Sequence, residues 1–290
     1  MKKNNSRGSS SKSSSRFSGR TPSGSTTKKP AQFMGLSTDK TKDKSFYPKS
    51  WRQVAGTHAI AELLQVHPKS VELVLLQANW RSSADLRQLM ETLEKKKIKI
   101  EEKSEAHLNE LCRSHQGAVA FSSSNLEFNW QSQSWGKHGL VVALDGVEDT
   151  QNLGAILRTS WLMGVDGMII PEDRAVGLTA TVHKVACGGA EHVPIYRSNQ
   201  FAAPFENLKK AGFWVFGLSH KASKTIYDLN IPEKIIWAMG AEDKGLRIPT
   251  EKACDELVCI PQISPQASYN VSVATAIALA ETKRQWNSKK

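Results

Sequence analysis

Apolar residues between positions 51 and 121 recur with two different periods. Short apolar runs at 71–76, 98–100 and 117–121 are typical of buried strands. Apolar residues spaced three and four apart predict helices at 54–64, 83–95 and 105–112. Thr57 stands where a cap of the first helix is expected, and Pro68 follows its end. The pattern therefore predicts a small αβαβαβ domain at 51–121.

A second pattern begins at residue 139, where apolar strands alternate with helices. The predicted strands are 140–144, 167–170, 193–196, 213–218, 235–239 and 257–260, and the predicted helices are 152–163, 178–187, 201–210 and 271–279. Such alternation indicates an α/β domain at 139–290 with a parallel sheet covered on both faces. Ligands of such sheets bind at the carboxyl ends of the strands. Residues 122–138 lack periodicity and are interpreted as a linker.

The positive charge of the chain is concentrated at its beginning. The 290 residues carry a net charge of +11, and residues 1–50 contain twelve Lys and Arg against Asp39 and Asp43. This stretch is rich in Ser and Gly and poor in apolar residues, so it is predicted to be a disordered basic tail. A flexible cationic arm favours nucleic-acid contact through counterion release; the alternative is a tail that only increases solubility.

Composition narrows the class of protein further. There is no secretory apolar region after Met1 and no uncharged apolar run of the ~20 residues that a membrane helix needs, so a cytoplasmic protein without a membrane partner is expected. The four cysteines form no C-x-x-C pair and have no nearby His at zinc spacing. We therefore expect no metal site and no disulfide framework.

The first candidate for chemistry is the segment that follows the strand at 140–144. Gly154 and Arg158 share one face of the predicted helix, and side chains on a helix lean toward its N-terminus. Arg158 is therefore expected to lie back over Gly154 toward Asn152, where a guanidinium and a helix N-terminus together suit a phosphate. The alternative is a surface Arg with Asp149 as an ordinary helix cap.

Two later segments also follow predicted strands. Gly240-x-Glu242-x-x-Gly245 can bring backbone close to a ligand, or it can be a simple turn with a solvated Glu. The loop 260–274 leads from a strand into an apolar helix, and is either a capped turn or a ligand-binding loop. His183 and Lys184 are interpreted as a solvated helix face, and His115-Gln116-Gly117 as a turn into a strand.

Together, and in this order, these segments resemble the motifs of the SpoU (TrmH) family of RNA ribose 2′-O-methyltransferases. The matching residues are Asn152-x-Gly154-x-x-x-Arg158, Gly240-x-Glu242-x-x-Gly245, Ile260-Pro261 and Ser268-Tyr269-Asn270-Val271-Ser272-Val273-Ala274, with 184–191 as a further family-like segment. Gly56-x-His58 and His115-Gln116-Gly117 resemble the family's ribosomal-protein L30e-like substrate-binding domain. The resemblance implies a trefoil knot in the second domain, S-adenosylmethionine as methyl donor, and a homodimer with the site at its interface.

The resemblance also implies roles for individual residues. The catalytic positions are Asn152, Arg158, Glu242, Ser268 and Asn270, and the cofactor-binding positions are Gly240, Ile260 and Tyr269. Because an Arg with a pKa above ~12 is a poor base at neutral pH, we expect it to bind the neighbouring phosphate and to polarise the 2′-hydroxyl. Four positions depart from the family pattern, in which Pro, Met, Gly and Leu are usual: Thr150, Gln262, Ser264 and Tyr269.

Two functions remain open at this point. The first is an RNA 2′-O-methyltransferase that acts on rRNA or tRNA, with the domain at 51–121 and the basic tail holding the RNA. The second is an RNA-binding homodimer of the same family that has lost turnover. Retention of four catalytic positions favours the enzyme, whereas the altered loop 262–269 favours the binding protein. The four are Asn152, Arg158, Glu242 and Asn270.

Overall fold

Two β-sheets organise the part of the chain that the structure describes. The structure is a computed structural model, and it describes residues 47–288 apart from 125, 132, 173–176 and 265–266. Most of the predicted basic tail, residues 1–46, lies outside the described residues. The ring of Tyr47 stacks on Phe121 with 4.1 Å between the centroids, so the packed part of the chain begins before residue 51.

The smaller sheet has four strands and is flanked by three helices. Its elements are β1 Arg52–Ala55, α1 Thr57–Val66, β2 Val71–Gln77, α2 Ala84–Lys95, β3 Ile100–Lys103, α3 Glu105–Leu111 and β4 Ala118–Ser122. The strand order is β1-β4-β2-β3, with β4 antiparallel to both β1 and β2, and β3 parallel to β2. Alternate residues of β2 enter two cores, Val74 and Leu76 on one face and Leu73 and Leu75 on the other.

The first element of this sheet differs from the prediction. Residues 52–55 form an edge strand, and the helix starts only at Thr57. Gly56 has a φ of 96°, which ends the strand with a turn that most other residues adopt poorly. Thr57 is consequently the first helical residue, and Gly56 occupies the cap position without a side-chain hydrogen bond. The domain is thus βαβαβαβ rather than αβαβαβ.

The larger sheet has six strands that are all parallel, as the alternation of apolar segments predicts. Its elements are β5 Gly139–Asp145, α4 Thr150–Leu162, β6 Gly167–Ile170, α5 Ala180–Ala186, α6 Gly189–His192, β7 Ile195–Arg197, α7 Ala202–Lys210, β8 Trp214–Leu218, β9 Lys234–Gly240, α8 Ile248–Ala253, β10 Glu256–Val258 and α9 Val271–Ser288. The strand order is β10-β8-β9-β5-β6-β7.

Helices cover both faces of this sheet. Leu140, Val142 and Leu144 of β5 point into the core shared with α4, α5, α6 and α9, whereas Val141 and Ala143 point toward α7 and α8. All seven residues of β5 are buried, which explains its continuous apolar sequence. Among the described ranges, no helix combines the length and apolarity that crossing a bilayer requires.

Helix α9 is longer than its apolar pattern predicts. The prediction ends at 279, but the helix continues to Ser288 because its polar side chains find buried partners. The hydroxyl of Thr282 accepts a hydrogen bond from Trp237 Nε1 at 2.9 Å. The amide of Gln285 accepts from Ile231 N and donates to Leu229 O, both at 2.9 Å. Apolar periodicity cannot predict a helix segment that is buried through polar contacts.

The segment predicted as a linker packs against the larger sheet. Phe128 is buried in the core on the α7 side, and Trp135 lies edge-on to Phe213 with 4.6 Å between the centroids. Ile195 N donates to Leu126 O at 2.6 Å, which attaches the segment to the start of β7. Its aromatic residues therefore bury apolar surface although their spacing has no regular period.

The strand order places a crevice at one edge of the larger sheet. β5 and β9 are neighbours, with Asp145 opposite Gly240 at their carboxyl ends. The next strand after β5 lies on one side of this pair, and the next strand after β9 lies on the other. Parallel sheets bind ligands at such a switch point, so the residues that follow Asp145 and Gly240 are the first to consider.

Candidate active site

Three loops meet at this edge and are joined by a cluster of amide and carboxylate groups. Asn152 Nδ2 donates to Glu242 Oε1 at 2.9 Å, and Asn270 Nδ2 donates to the same oxygen at 2.6 Å. Asn270 Nδ2 also donates to Asn152 Oδ1 at 2.9 Å. Three residues separated by 90 and 28 positions along the chain thus form one hydrogen-bonded triad, Asn152–Glu242–Asn270.

Helix termini hold two members of the triad. Asn152 lies in the first turn of α4, where Asp149 Oδ1 accepts from Gln151 N at 2.9 Å. Asn270 directly precedes α9, and its Oδ1 accepts from Ser272 N at 2.9 Å and from Ser272 Oγ at 2.6 Å. These bonds cap free backbone donors and fix the direction of the side chains.

Glu242 lies in a closed loop between β9 and α8. Ala241 and Gly245 exchange backbone hydrogen bonds of 3.1 and 2.8 Å across this loop. A Cβ on Gly240 would lie 2.0 Å from the carbonyl carbon of Gly245, so only glycine fits there. The two glycines of the G-x-E-x-x-G segment therefore close the loop tightly, and the carboxylate projects from it.

A buried carboxylate that the sequence pattern missed anchors the far end of the same loop. Asp145 is 1% exposed, and its Oδ2 accepts from Arg247 N at 2.9 Å while its Oδ1 pairs with Arg247 Nε. The guanidinium of Arg247 also lies 5.8 Å from the ring centroid of Phe201. The contact spans 102 positions, and the only sequence signal was a carboxylate at the end of an apolar strand.

Two cavities adjoin at the triad. The first has a volume of about 410 Å³ and is lined by residues from β9, the loop after it, the start of α8 and the loop before α9, among them Met239, Gly240, Glu242, Ile260, Ser268 and Tyr269. The second has a volume of about 250 Å³ and is lined by residues 146–149, Asn152, residues 241–244 and Val271. Residues 241–244 and Val271 line both, so they form a shared wall.

Two of the residues that differ from the family pattern, Gln262 and Tyr269, stabilise the loop beside the first cavity. Gln262 Nε2 donates to Ala267 O at 2.7 Å, and Tyr269 OH donates to Pro261 O at 3.2 Å. Both bonds cross from one side of the loop 261–269 to the other. The unusual side chains therefore close the loop on itself, and Tyr269 still lines the cavity as predicted.

Arg158 is not next to Asn152, contrary to the expectation from helix geometry. Gly154 is buried, and a Cβ there would lie 2.6 Å from Val185 Cβ, so α5 occupies the surface that Arg158 was expected to cross. The exposed Arg158 instead donates from Nη1 to Cys187 Sγ at 3.4 Å. It lines neither of the two cavities that adjoin at the triad.

His183 is also placed differently from the prediction, because it is fully buried rather than on a solvated face. Its Nε2 lies 3.2 Å from Arg52 Nη1, and its Nδ1 lies 3.3 Å from Glu191 Oε1. Arg52 completes the cluster with hydrogen bonds of 3.0 and 2.8 Å to the two carboxylate oxygens of Glu191. Burial lowers the pKa of His183, so the imidazole is held neutral.

The comparisons with known proteins identify the family of the chain. Residues 139–280 match the model of the SpoU rRNA Methylase family, and residues 53–125 match that of the RNA 2′-O ribose methyltransferase substrate-binding domain. The 23S rRNA (guanosine-2′-O-)-methyltransferase RlmB of Pseudomonas aeruginosa is 38% identical over 248 residues, which cover 81% of this chain and 97% of the relative. RlmB of Shewanella oneidensis is 39% identical, with 80% and 96% covered. The chain belongs to the SpoU family.

A solved structure has the same fold. The SpoU methyltransferase AviRb of Streptomyces viridochromogenes, in complex with AdoMet, aligns with a TM-score of 0.73 at 20% identity over 82% of this chain and 91% of the other. At this identity the likeness concerns the fold alone.

The donor used by SpoU methylases, S-adenosylmethionine, is compatible with the first cavity. Its volume of about 410 Å³ is within the range of roughly 300–1,000 Å³ for small-ligand pockets. Its wall combines the apolar side chains of Met239 and Ile260, which suit an adenine base, with loop backbone around Gly240 and the carboxylate of Glu242, which suits a positively charged sulfonium. Four predicted site residues line this cavity: Gly240, Ile260, Ser268 and Tyr269. Glu242 also lines it and bonds Asn152 and Asn270. Of the predicted site residues, Arg158 neither lines this cavity nor bonds the triad, and it contacts Cys187 instead.

Proposed function

We propose that this SpoU methylase transfers a methyl group from S-adenosylmethionine to a ribose 2′-hydroxyl of rRNA. The names of the relatives favour rRNA over tRNA, and among rRNA sites a guanosine of 23S rRNA. The observation that carries the proposal is the pair of cavities that share a wall at the triad. One is large enough for the donor, and the other opens toward Asn152, where an acceptor nucleotide would lie.

In this proposal the protein contributes mainly positioning. S-adenosylmethionine supplies a methyl group on a sulfonium, which a nucleophilic oxygen can attack directly. Gly240, Ile260 and Tyr269 would hold the donor in the 410 Å³ cavity. Ser268, which lines the same cavity, and Asn270, which bonds Glu242 of the shared wall, would orient the acceptor. Bonds to two amides keep Glu242 Oε1 fixed. Correct orientation of two reactants can supply on the order of 7–11 kcal/mol of a barrier.

Arg158 would bind the phosphate next to the target ribose and polarise its hydroxyl. Because Arg158 lines neither cavity of its own chain, a homodimer is the arrangement in which a second copy would bring this residue to the site.

We also propose the trefoil knot for the 139–290 domain, an L30e-like RNA-binding role for the 51–121 domain, and a disordered basic tail. A cytoplasmic location is proposed because the relatives are named as methyltransferases of bacterial 23S rRNA.

Calorimetry with S-adenosylmethionine, followed by methyl transfer to unmodified 23S rRNA transcripts, tests the function. We expect saturable binding and a reverse-transcription stop at one 2′-O-methylated nucleotide. Absence of binding at millimolar donor would reject the enzyme. Donor-free RNA binding by a dimer would then support the alternative, an RNA-binding homodimer without turnover, for which the altered loop closed by Gln262 and Tyr269 is the supporting feature.

The role of Arg158 has its own test. Arg158→Lys retains the positive charge but removes the planar fork that binds a phosphate through two bonds. We expect turnover to fall at least tenfold while the affinity for S-adenosylmethionine stays the same, because Arg158 is outside the donor cavity. Full turnover in Arg158→Lys would contradict the phosphate-binding role.

A further inference from the structure

The two sheets meet beside a lysine that the family motifs leave without a role. Lys184 lies on α5, and its Cγ is 3.9 Å from the place where a Cβ on Gly56 would stand. The exposed side chain of Gln116 is at the same point, with its Oε1 2.6 Å from that place. A side chain on Gly56 would therefore displace Gln116, and glycine lets the turn of the smaller sheet approach α5 closely.

Lys184 also lies close to Arg158. Cys187 Sγ accepts a hydrogen bond from Arg158 Nη1 at 3.4 Å and lies 3.5 Å from Lys184 O. One sulfur atom thus lies between the guanidinium of Arg158 and the backbone of Lys184, and the helices that carry the two residues, α4 and α5, cover the same face of the larger sheet. Gln116, Lys184 and Arg158 form a continuous series from the substrate-binding domain to the residue proposed to act at the ribose.

The charge of Lys184 is available to a ligand. Within the described ranges, Lys184 forms no ion pair with a carboxylate, and its side chain is partly exposed. The positive charge of Lys184 also acts on His115 of the smaller sheet. Burial is the largest cause that lowers the pKa of His115; the charge of Glu105 raises this pKa, and the charge of Lys184 lowers it. A cation without a counterion at a junction of two domains attracts an anion from solution.

The junction is held in place by buried and half-buried contacts, so this series has a fixed geometry. Arg52 of β1 pairs with Glu191 of α6 at 2.8 Å, with the carboxylate wholly buried. Glu62 of α1 lies 2.9 Å from His192 Nε2, and the ring of His192 stacks on Trp161 with 4.3 Å between the centroids. A site whose parts are already ordered loses little entropy when it binds.

We propose that Lys184, together with Gln116 and Arg158, binds the sugar-phosphate backbone of single-stranded RNA next to the target nucleotide. This rests on the proposed function. Lys184 supplies a point charge for one phosphate, and Gln116 supplies an amide that can donate to a phosphate oxygen or bond a 2′-hydroxyl. The strand would pass from the smaller sheet across the junction to Arg158, and the path of the backbone would fix which ribose reaches the site.

Salt dependence of binding measures this contact directly. The probe is a fluorescein-labelled oligouridylate of 20 nucleotides, titrated with the full chain between 50 and 200 mM KCl, because backbone contacts do not depend on base sequence. Lys184→Met should reduce the slope of log K against log salt by about 0.7, the value for one phosphate contact on a single strand. Lys184→Arg should restore the slope. Lys210→Met removes an exposed cation on the opposite face of the larger sheet and should leave it unchanged.

Enzyme kinetics separate this inference from the proposed function. With 23S rRNA as substrate, Lys184→Met should raise KM for RNA several-fold with an unaltered affinity for S-adenosylmethionine, and Gln116→Ala should do the same without a change of salt slope. An unchanged slope in Lys184→Met, or an equal loss in Lys210→Met, overturns the inference. If the wild-type chain binds RNA with the expected slopes but transfers no methyl group, the inference stands and the proposed function fails.

Discussion

A single asparagine illustrates how one side chain serves both folding and chemistry. Asn270 Oδ1 caps the start of α9 through Ser272 N, while Asn270 Nδ2 bonds Asn152 and Glu242. The two ends of the amide therefore have different tasks. Removal of the donor end without loss of the cap would separate catalysis from stability.

Asn270→Ser makes this separation. Serine caps helices about as well as asparagine, but it has no amide donor to reach the other two members of the triad. We expect turnover to fall by about 10²-fold, the size of effect that a misplacement of about 1 Å produces, while the unfolding midpoint stays close to that of the wild type. Methyl transfer to 23S rRNA and thermal unfolding measure the two effects.

The control for this variant is Ser272→Ala. It removes the 2.6 Å bond from Ser272 Oγ to Asn270 Oδ1 but retains the backbone cap and both Nδ2 contacts. Its turnover should remain within a few-fold of the wild type. Wild-type turnover in Asn270→Ser would show that the amide donors do not act in the reaction.

The resemblance to the SpoU motifs predicted the residues of the triad as site residues, whereas no pattern predicted the long-range pairs around them. Asn152, Glu242 and Asn270 each follow an apolar strand or precede an apolar helix, and the carboxyl ends of parallel strands meet at one edge. The pairs Asp145–Arg247 and Arg52–Glu191 join residues 102 and 139 positions apart. No spacing rule connects such residues, because their contact depends on strand order and on the docking of the two sheets.

At the scale of elements, Gly154 explains how closely α5 packs against α4 next to the site. It allows α5 to pack directly on α4, with Val185 and the carbonyl of Val182 within 3.2 Å of the place where a Cβ would stand. The helical spacing predicted that Arg158 lies over Gly154 and that no other element covers this glycine. The actual neighbour is a helix seven residues long, Ala180–Ala186, whose position along α4 was not predictable from its own apolar pattern.

Gly154→Ala tests this packing. Alanine favours a helix over glycine by up to ~1 kcal/mol, but the added methyl group must push α5 away, and overpacking costs about 1–3 kcal/mol. We expect a net loss of unfolding free energy of about 1 kcal/mol and reduced turnover, since α5 carries Lys184 and leads to Cys187. Gly136→Ala is the control, because no atom lies within 4 Å of its Cβ position. A variant Gly154→Ala as stable and active as the wild type would contradict close packing.

The element boundaries that the sequence missed have a shared physical cause. Strand β1 is an edge strand of four residues, too short for a period to be visible, and α8 has six residues. The end of α9 is buried through Thr282 and Gln285 rather than through apolar side chains. Strand β6, Gly167–Ile170, is equally short but was predicted to the residue, because burial of all four residues leaves a continuous apolar sequence.

At the scale of the whole molecule, the contact of the two domains depends on a buried charge. Burial alone would raise the pKa of Glu191, but hydrogen bonds from His183 and Arg52 lower it to about 2. Such a group stabilises the fold above its ordinary pKa of 4.5, and the stabilisation is lost as the pH falls toward 2. The pKa of His183 is lowered as well, so its protonation in the unfolded chain below pH 6.5 adds to the loss in acid.

Glu191→Gln should therefore lower the unfolding free energy at pH 7 by roughly 3 kcal/mol, because it leaves Arg52 without its counterion. The difference from the wild type should narrow between pH 5 and pH 3, because glutamine does not titrate, whereas the unfolded wild-type chain takes up a proton on Glu191 near pH 4.5 that the folded chain binds only near pH 2. Urea denaturation at pH 7, 5 and 3.5 measures this difference. A difference that stays constant across the three pH values would show that Glu191 does not carry the pH dependence.

The basic tail is also considered at the scale of the whole molecule, because its expected effect on RNA affinity depends on its total charge and not on one defined contact. Deletion of residues 1–45 removes eleven Lys and Arg and both Asp of the tail, so RNA affinity should fall and the salt slope should flatten by roughly 0.7 for every cation that touches a phosphate. Affinity for S-adenosylmethionine and the unfolding midpoint should be unaffected. A full-length chain with the same Lys and Arg replaced by Gln should behave like the deletion, which separates charge from length. If the slope stays as steep in both variants, the tail takes no part in RNA binding, and the cations at the junction of the two sheets account for the electrostatic attraction.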